Sequence, residues 1–274
     1  MKTLALAIGF TLAVSSLPVS ASTIRLYELG EGLTPDTSTA DSGPYLTSGG
    51  LMGGGTQTSL GSGGTNLDTT LSNGIAAGYS NRVGNFTTNP FTPGAFVNSA
   101  FPVLDRNTGF TLQFNVAVLS EFRTNQNRAG FSVIALSSDA QGIELGFQDN
   151  GEGGTIFAQN SNFTFGESVG FSISSPTIYD LTILGNTYTL SSGGSQLLTN
   201  NLRSYNAAAV FNPYQTPNFI FLGDDTSSAQ ASINLGAVSL TTTAVPFEFS
   251  PILGLGLIGV WGIARKFKSE KLKK

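Results

Sequence analysis

The sequence predicts an all-β protein, a two-sheet antiparallel sandwich of the jelly-roll kind, followed by one hydrophobic C-terminal helix. Three observations predict it. From Phe110 onward the chain alternates, with Phe110, Leu112, Phe114, Val116 and Val118 separated by Thr111, Gln113, Asn115 and Ala117, as a half-buried strand requires. The chain holds 34 glycines and only 11% charged residues, the balance of a protein with many turns between short strands. Between residues 22 and 243 no segment repeats its apolar residues at the helical period.

The elements follow in order. Ile24 to Leu29 alternates and reads as a first strand. From Thr34 to Gly78 the chain is dominated by Gly, Ser and Thr, including Gly53-Gly54-Gly55 and Gly61-Ser62-Gly63-Gly64. It has no period, so a loosely draped segment is expected there. Pro90, Pro93 and Pro102 punctuate the next stretch. Strands are then expected over Phe110–Leu119, Phe131–Leu136, Gly142–Phe147, Thr155–Ala158, Tyr179–Leu184, Tyr188–Ser191, Asn218–Leu222 and Ile233–Leu240. Gly185-Asn186 has the composition of a tight hairpin turn, and Gly193-Gly194 opens another. These elements divide the chain into an N-terminal segment at 22–100 that joins the sandwich, and the sandwich domain at 101–243. A domain of about 220 residues is long enough to bury a full core.

Both ends carry sorting features. Lys2, the apolar run Leu4 to Val14, Pro18 and the small residues Val19-Ser20-Ala21 form a signal peptide over 1–21, with cleavage expected after Ala21. At the other end, residues 244–274 hold a short polar motif (Pro246, Phe247, Glu248, Phe249, Ser250 and Pro251), an apolar stretch at 252–264 and a basic end at 265–274 that begins with Arg265, Lys266 and Lys268. The apolar stretch is short for a bilayer span, which takes roughly 20 residues. The basic end holds it on the cytoplasmic side and leaves the main domain outside.

Composition excludes several classes of function. Between residues 22 and 243 there are six arginines, 15 acidic residues and no lysine, a net charge of −9. That field opposes nucleic acid and anionic membrane surfaces. There is no cysteine and no histidine, so disulfides, thiolate metal sites, Ser-His-Asp triads and imidazole acid–base chemistry are out. Carboxylate pairs and oxygen-ligated calcium remain open.

The tail Pro246-Phe247-Glu248-Phe249-Ser250-Pro251, followed by Leu253-Gly254-Leu255-Gly256, resembles the cyanobacterial subclass of the PEP-CTERM sorting domains. Here Pro-Phe-Glu stands where the main family has Pro-Glu-Pro. The resemblance implies an exosortase-type membrane transpeptidase as processing partner, transient membrane anchoring, and delivery to the cell surface or extracellular polymer. A second resemblance is carried by Gly109-Phe110-Thr111-Leu112, Arg128-Ala129-Gly130-Phe131-Ser132-Val133, Gly142-Ile143-Glu144-Leu145-Gly146-Phe147, Tyr179-Asp180-Leu181-Thr182-Ile183 and Phe221-Leu222-Gly223-Asp224-Asp225. Residues 100 to 243 are similar to the choice-of-anchor Y domain and, more distantly, to the concanavalin A and laminin-G sandwiches. This implies a surface sandwich with no defined activity.

Three constellations bear chemistry. Glu144 faces away from Ile143, Leu145 and Phe147, as a catalytic carboxylate on a sheet face would. Its same-face neighbours are Gly142 and Gly146, so a second acid must come from another strand, with Glu121 and Asp180 as candidates. Asp224 and Asp225 open an oxygen-rich turn suited to calcium, although such turns more often satisfy their own backbone. Tyr205 and Tyr214, read as exposed beside Asn212 and Asn218, offer rings on which a sugar could stack. The expectation is a non-enzymatic exported structural or adhesive protein with no cofactor and with polysaccharide as a candidate partner. A calcium-assisted lectin is the alternative, and a two-carboxylate glycan hydrolase the third reading.

Overall fold

Alternation of apolar and polar residues becomes strand pairing throughout the computed structural model, which describes residues 21–30, 32–48, 55–71, 77–85, 92–205 and 212–243. The strands are β1 (Ser22–Tyr27), β2 (Thr47–Ser48), β3 (Thr56–Ser59), β4 (Thr65–Asp68), β5 (Ala77–Ser80), β6 (Arg82–Asn85), β7 (Thr92–Phe96), β8 (Phe110–Arg123) and β9 (Phe131–Leu136). They continue with β10 (Gly142–Gln148), β11 (Thr155–Gln159), β12 (Phe165–Gly170), β13 (Thr177–Leu184), β14 (Thr187–Ser192), β15 (Ser195–Asn201), β16 (Phe219–Asp224) and β17 (Ala229–Thr242). All their pairings are antiparallel.

Two large sheets result. One is eight-stranded, in the order β15-β14-β13-β8-β17-β4-β3, with β1 also on β17; the other is seven-stranded, in the order β12-β11-β10-β9-β16-β5-β2. The long partners β8 and β17 run side by side for 14 residues each and form the spine of the first sheet. The expected hairpin at Gly185-Asn186 joins β13 to β14, with Gly185 at φ +60 as such a turn demands.

The sheets meet over a continuous apolar core. Phe110, Leu112, Phe114, Val116 and Val118 of β8 face Phe131, Val133 and Ala135 of β9 and Ile143, Leu145 and Phe147 of β10 within it. At its centre Phe147 lies 6.1 Å from Phe114, 5.3 Å from Phe131 and 5.4 Å from Tyr179, ring centre to ring centre. Such edge-on and tilted contacts add to simple area burial.

One expectation needs correction. In the described part of the stretch from Thr34 to Gly78 the chain is not loosely draped: β2, β3 and β4 lie in it, β5 begins at its end, and they extend both sheets. β2 and β3 carry only Thr, Ser and Gln, and β4 and β5 place just Leu67, Ala77 and Tyr79 in the core, too few apolar residues to generate a visible period. β12 was not expected, because Phe165–Gly170 carries a Gly-Glu-Ser centre in place of alternation. The loop Asn-Pro-Tyr-Gln-Thr-Pro at 212–217 lies over a sheet face. Among the described residues no helix is long and apolar enough to cross a membrane. The expected signal peptide to residue 20, the sorting motif and the apolar helix at 252–264 lie outside the described residues. Residues Ser20–Thr243 form one unit.

Phe147→Ala should cost about 3–5 kcal/mol, because it empties the centre of this ring cluster. Urea unfolding of the variant against the parent measures it.

Candidate functional site

The middle of the seven-stranded sheet is buried on both faces, and its second face holds the site. β9, β10 and β16 have every residue buried. Ile134, Leu136, Phe219 and Phe221 point away from the sandwich core and pack with Tyr205 and Tyr214 in a second apolar cluster, with Phe163 against it. Tyr205 arrives on a short segment after β15, which is tied to β10 by the reciprocal bonds Arg203 N to Gly142 O (2.7 Å) and Gly142 N to Arg203 O (3.0 Å). Tyr214 sits in a single 3-10 turn, Asn212–Gln215, closed by Thr216 N donating to Pro213 O at 3.1 Å. The rings of Phe163, Tyr205 and Tyr214 lie 4.9–5.6 Å apart and form a cap over this face.

Glu144 lies under that cap, 1% exposed, on the face the alternation of β10 assigns to it. The hydroxyl of Tyr214 is 2.8 Å from Glu144 Oε2 and 2.7 Å from Asp225 Oδ2, which puts the two carboxylates within about 5.5 Å of each other. Arg128 closes the group, with its guanidinium 2.7 Å from Asp225 and 3.6 Å from Glu144. The guanidinium also stands over the Phe163 ring, 5.5 Å from its centre.

The charges determine where the protons sit. Two ionised carboxylates against one guanidinium would leave a net negative charge in a site closed to water. Burial is the largest influence on Glu144, the Asp225 charge adds to it, and Arg128 only partly offsets them, so this carboxyl is pushed up to about 8. A single phenolic proton cannot serve both carboxylates. With Glu144 protonated, Tyr214 accepts from Glu144 and donates to Asp225, and every contact has its hydrogen. Burial alone would lower Arg128, but Asp225 and Glu144 outweigh it and hold the guanidinium charged.

Tyr205 has a different task. The ladder between β10 and β11 ends at Leu145 and Ala158, so Glu144 and Gln159 come next in register. The Tyr205 hydroxyl stands between these two residues, accepting from Glu144 N at 3.0 Å and donating to Gln159 O at 3.0 Å. A side chain thereby takes the place of a backbone hydrogen bond where the strands part.

Several expected site residues are corrected here. Tyr205 and Tyr214 are not exposed but 0% and 7% accessible, so neither offers a stacking face to a sugar in this conformation. Glu144 is partnered by Asp225, not by Glu121 or Asp180. Asp180 lies on the outer face of the other sheet, where it accepts from Gln113 Nε2 at 2.8 Å. Glu121 is held by Arg123 and by the backbone N–H groups of Gly130 and Asp149. Asp224 and Asp225 are taken up by separate protein donors. Asp224 accepts from Thr69 Oγ1 at 2.9 Å and Thr226 N at 3.1 Å, and burial raises its carboxyl to about 8. Among the described residues no cluster of three or more acidic side chains could hold a metal ion. Arg128 was not singled out from the sequence; the available signal was that a buried acid in a lysine-free domain must draw on one of six arginines. Ser132 Oγ, the Gln159 amide and Asp225 Oδ1 are buried on or beside this face without a hydrogen-bond partner.

No family model matches the chain, and no curated protein matches it. Among solved structures it is similar to a carbohydrate esterase of the Shiga toxin-encoding bacteriophage phi24B, at 13% identity over 81% of this chain and 100% of that one, with a TM-score of 0.49. It is also similar to the Crh5 transglycosylase in complex with NAG, at 13% identity over 85% and 90% and a TM-score of 0.43. The CBM2 module of the evolved Dit protein of Lactobacillus casei BL23 phage J-1 is similar at 12% identity over 84% and 100%, with a TM-score of 0.42. Similarity at this level does not bear on what the chain binds or does.

Stability should depend on pH through Glu144 and Asp224. Their folded carboxyls keep protons that the unfolded chain loses near its ordinary value of about 4. Their contribution to stability is therefore full below that range and is lost as pH rises through about 8. Urea unfolding at pH 5 and pH 9 should show a loss on the order of 2–4 kcal/mol, and Glu144→Gln should remove a large part of it. Tyr205→Phe should cost about 1–3 kcal/mol for each of the two backbone groups it orphans, read from the same unfolding curves.

Proposed function

We propose that this chain is a non-enzymatic β-sandwich of the cell surface or extracellular matrix, with a structural or adhesive role. In this reading the signal peptide exports it. The tail at 244–274 delivers it to an exosortase-type transpeptidase, with the apolar stretch serving as a membrane anchor until then. The observation that carries the non-enzymatic part is the closure of the Glu144 face. The two carboxylates, within about 5.5 Å of each other, are close enough for the pair of a retaining glycosidase. Yet Glu144 is buried beneath Tyr205 and Tyr214, and Tyr214 and Arg128 occupy the space between the two acids where a glycosidic bond would have to enter. A buried cluster of this kind ties the cap to the sheet, and a rigid, closed sandwich suits a module that serves as mass or as a contact surface.

Incubation with a panel of neutral and acidic polysaccharides should release no new reducing ends, and Glu144→Gln should change nothing. Turnover by the parent that Glu144→Gln abolishes would replace this reading with the hydrolase. Calcium should leave the melting temperature unchanged; a saturable rise would return the Asp224–Asp225 turn to consideration as a lectin site.

A further inference from the structure

The outer face of the eight-stranded sheet bears a feature that neither the core nor the buried carboxylates explain. Thr199 of β15 is in register with Thr189 of β14, Thr189 with Thr182 of β13, Thr182 with Thr111 of β8, Thr111 with Thr241 of β17, and Thr241 with Thr23 of β1. Six threonines on six adjacent strands thus form one straight row, about 24 Å long at an interstrand spacing of about 4.8 Å. All six point outward, because the residues beside them in sequence, among them Leu112, Leu181, Tyr188, Leu190, Leu198 and Leu240, are buried in the core.

The hydroxyls are ordered. Thr23 bonds Thr241 at 2.8 Å, Thr111 bonds Thr182 at 2.9 Å, and Thr189 bonds Thr199 at 3.2 Å. A hydroxyl carries one proton and two acceptor sites. Each of the first two pairs therefore spends one proton internally and keeps one donor, with acceptor capacity, for a partner outside. Two residues further along the strands, three on β15 where the register shifts, runs a second polar rank, of Gln196, Ser191, Asp180, Gln113, Ser239 and Arg25. Its charged members are already engaged, Asp180 by Gln113 at 2.8 Å and Arg25 by Glu28 at 2.6 Å and Asp41 at 2.8 Å.

We infer that this row is a docking surface for an extended, uncharged polysaccharide chain lying across the strands. The inference rests on the adhesive reading above and names its partner. Charge and chemistry choose the occupant. The row offers hydroxyls with only Leu184 and Ile178 exposed beside it on β13, too little apolar surface for a protein interface core or a lipid surface. A domain of net charge −9 repels anionic polymers. An extended neutral glycan presents hydroxyls ring after ring at a repeat close to the interstrand spacing, and such a chain can twist with the sheet, so several rings can bond in succession to a preordered row. Each bond is weak and partly traded against water, so binding would come from repetition along the polymer.

The test is depletion of the purified full-length protein by microcrystalline cellulose and by chitin, with soluble β-glucan as competitor. The parent should be retained. The triple variant Thr111→Val/Thr182→Val/Thr241→Val, which keeps shape and strand preference, should bind at least tenfold more weakly with an unchanged melting temperature. The single variant Thr182→Lys, which sets a bulky cation mid-row, should do the same. Equal retention of parent and variants would overturn the row as the site while leaving adhesion standing. Retention by none of these neutral polymers overturns the inference outright, as does ice-growth inhibition or self-association lost in the triple variant. New reducing ends during the incubation would sink the non-enzymatic reading instead.

Discussion

A carboxylate that a sheet buries must find a cation or keep a proton, and the second face of the seven-stranded sheet is arranged around that constraint. Glu144 and Asp225 share one guanidinium, and the shortfall is met by a proton on Glu144 and by the bridging hydroxyl of Tyr214. Once the charges balance, the cap can close. Phe163, Tyr205 and Tyr214 then seal the face, and β9, β10 and β16 become interior strands on both sides. An unpaired charge in this position would cost several kcal/mol, comparable with the net stability of a whole domain.

The two sheets consequently play different parts. The seven-stranded sheet has an aromatic lid on its outer side, and the glycines of that face accommodate rings instead of side chains. A Cβ on Gly146 would lie 2.3 Å from Phe157, and one on Gly78 would lie 2.4 Å from Phe221. The eight-stranded sheet leaves its outer side to water, and threonine, serine, glutamine and asparagine fill most of it, with Ile178 and Leu184 exposed among them. Threonine meets both demands there, since its branched Cβ suits a strand and its hydroxyl pairs across to the next one. That hydroxylated face is the one the fold leaves to solvent.

Legibility from sequence follows the same division. The face of Glu144 could be read from β10 alone, because side chains alternate strictly along a strand. Its partner could not. Asp225 lies more than eighty residues away and meets Glu144 only because β9 pairs with β10 and β16 with β9, and the turn after β16 brings Asp225 over the face. The aromatic character of Tyr205 and Tyr214 suggested exposed stacking rings, but their exposure depended on where an irregular segment packs, which no local pattern records. The run Phe219-Ile220-Phe221-Leu222 did hold a hint of two-sided burial, since a strand facing water on one side would alternate. The six threonines were all present in the expected strands, but a row across a sheet exists only once register is known.

By itself the sequence determined the fold class, the core-facing residues of the main strands, the Gly185-Asn186 turn, and the exclusion of histidine and cysteine chemistry. Each of these depends on residues near one another along the chain or on composition alone. Tertiary structure decided that Gly- and Ser-rich segments become edge strands, that Glu144 is closed in with Asp225 and Arg128, and that threonines from six strands form one line. The physical reason is that strand order and register are set by the packing of the two sheets against each other, a property of contacts between residues distant in the chain.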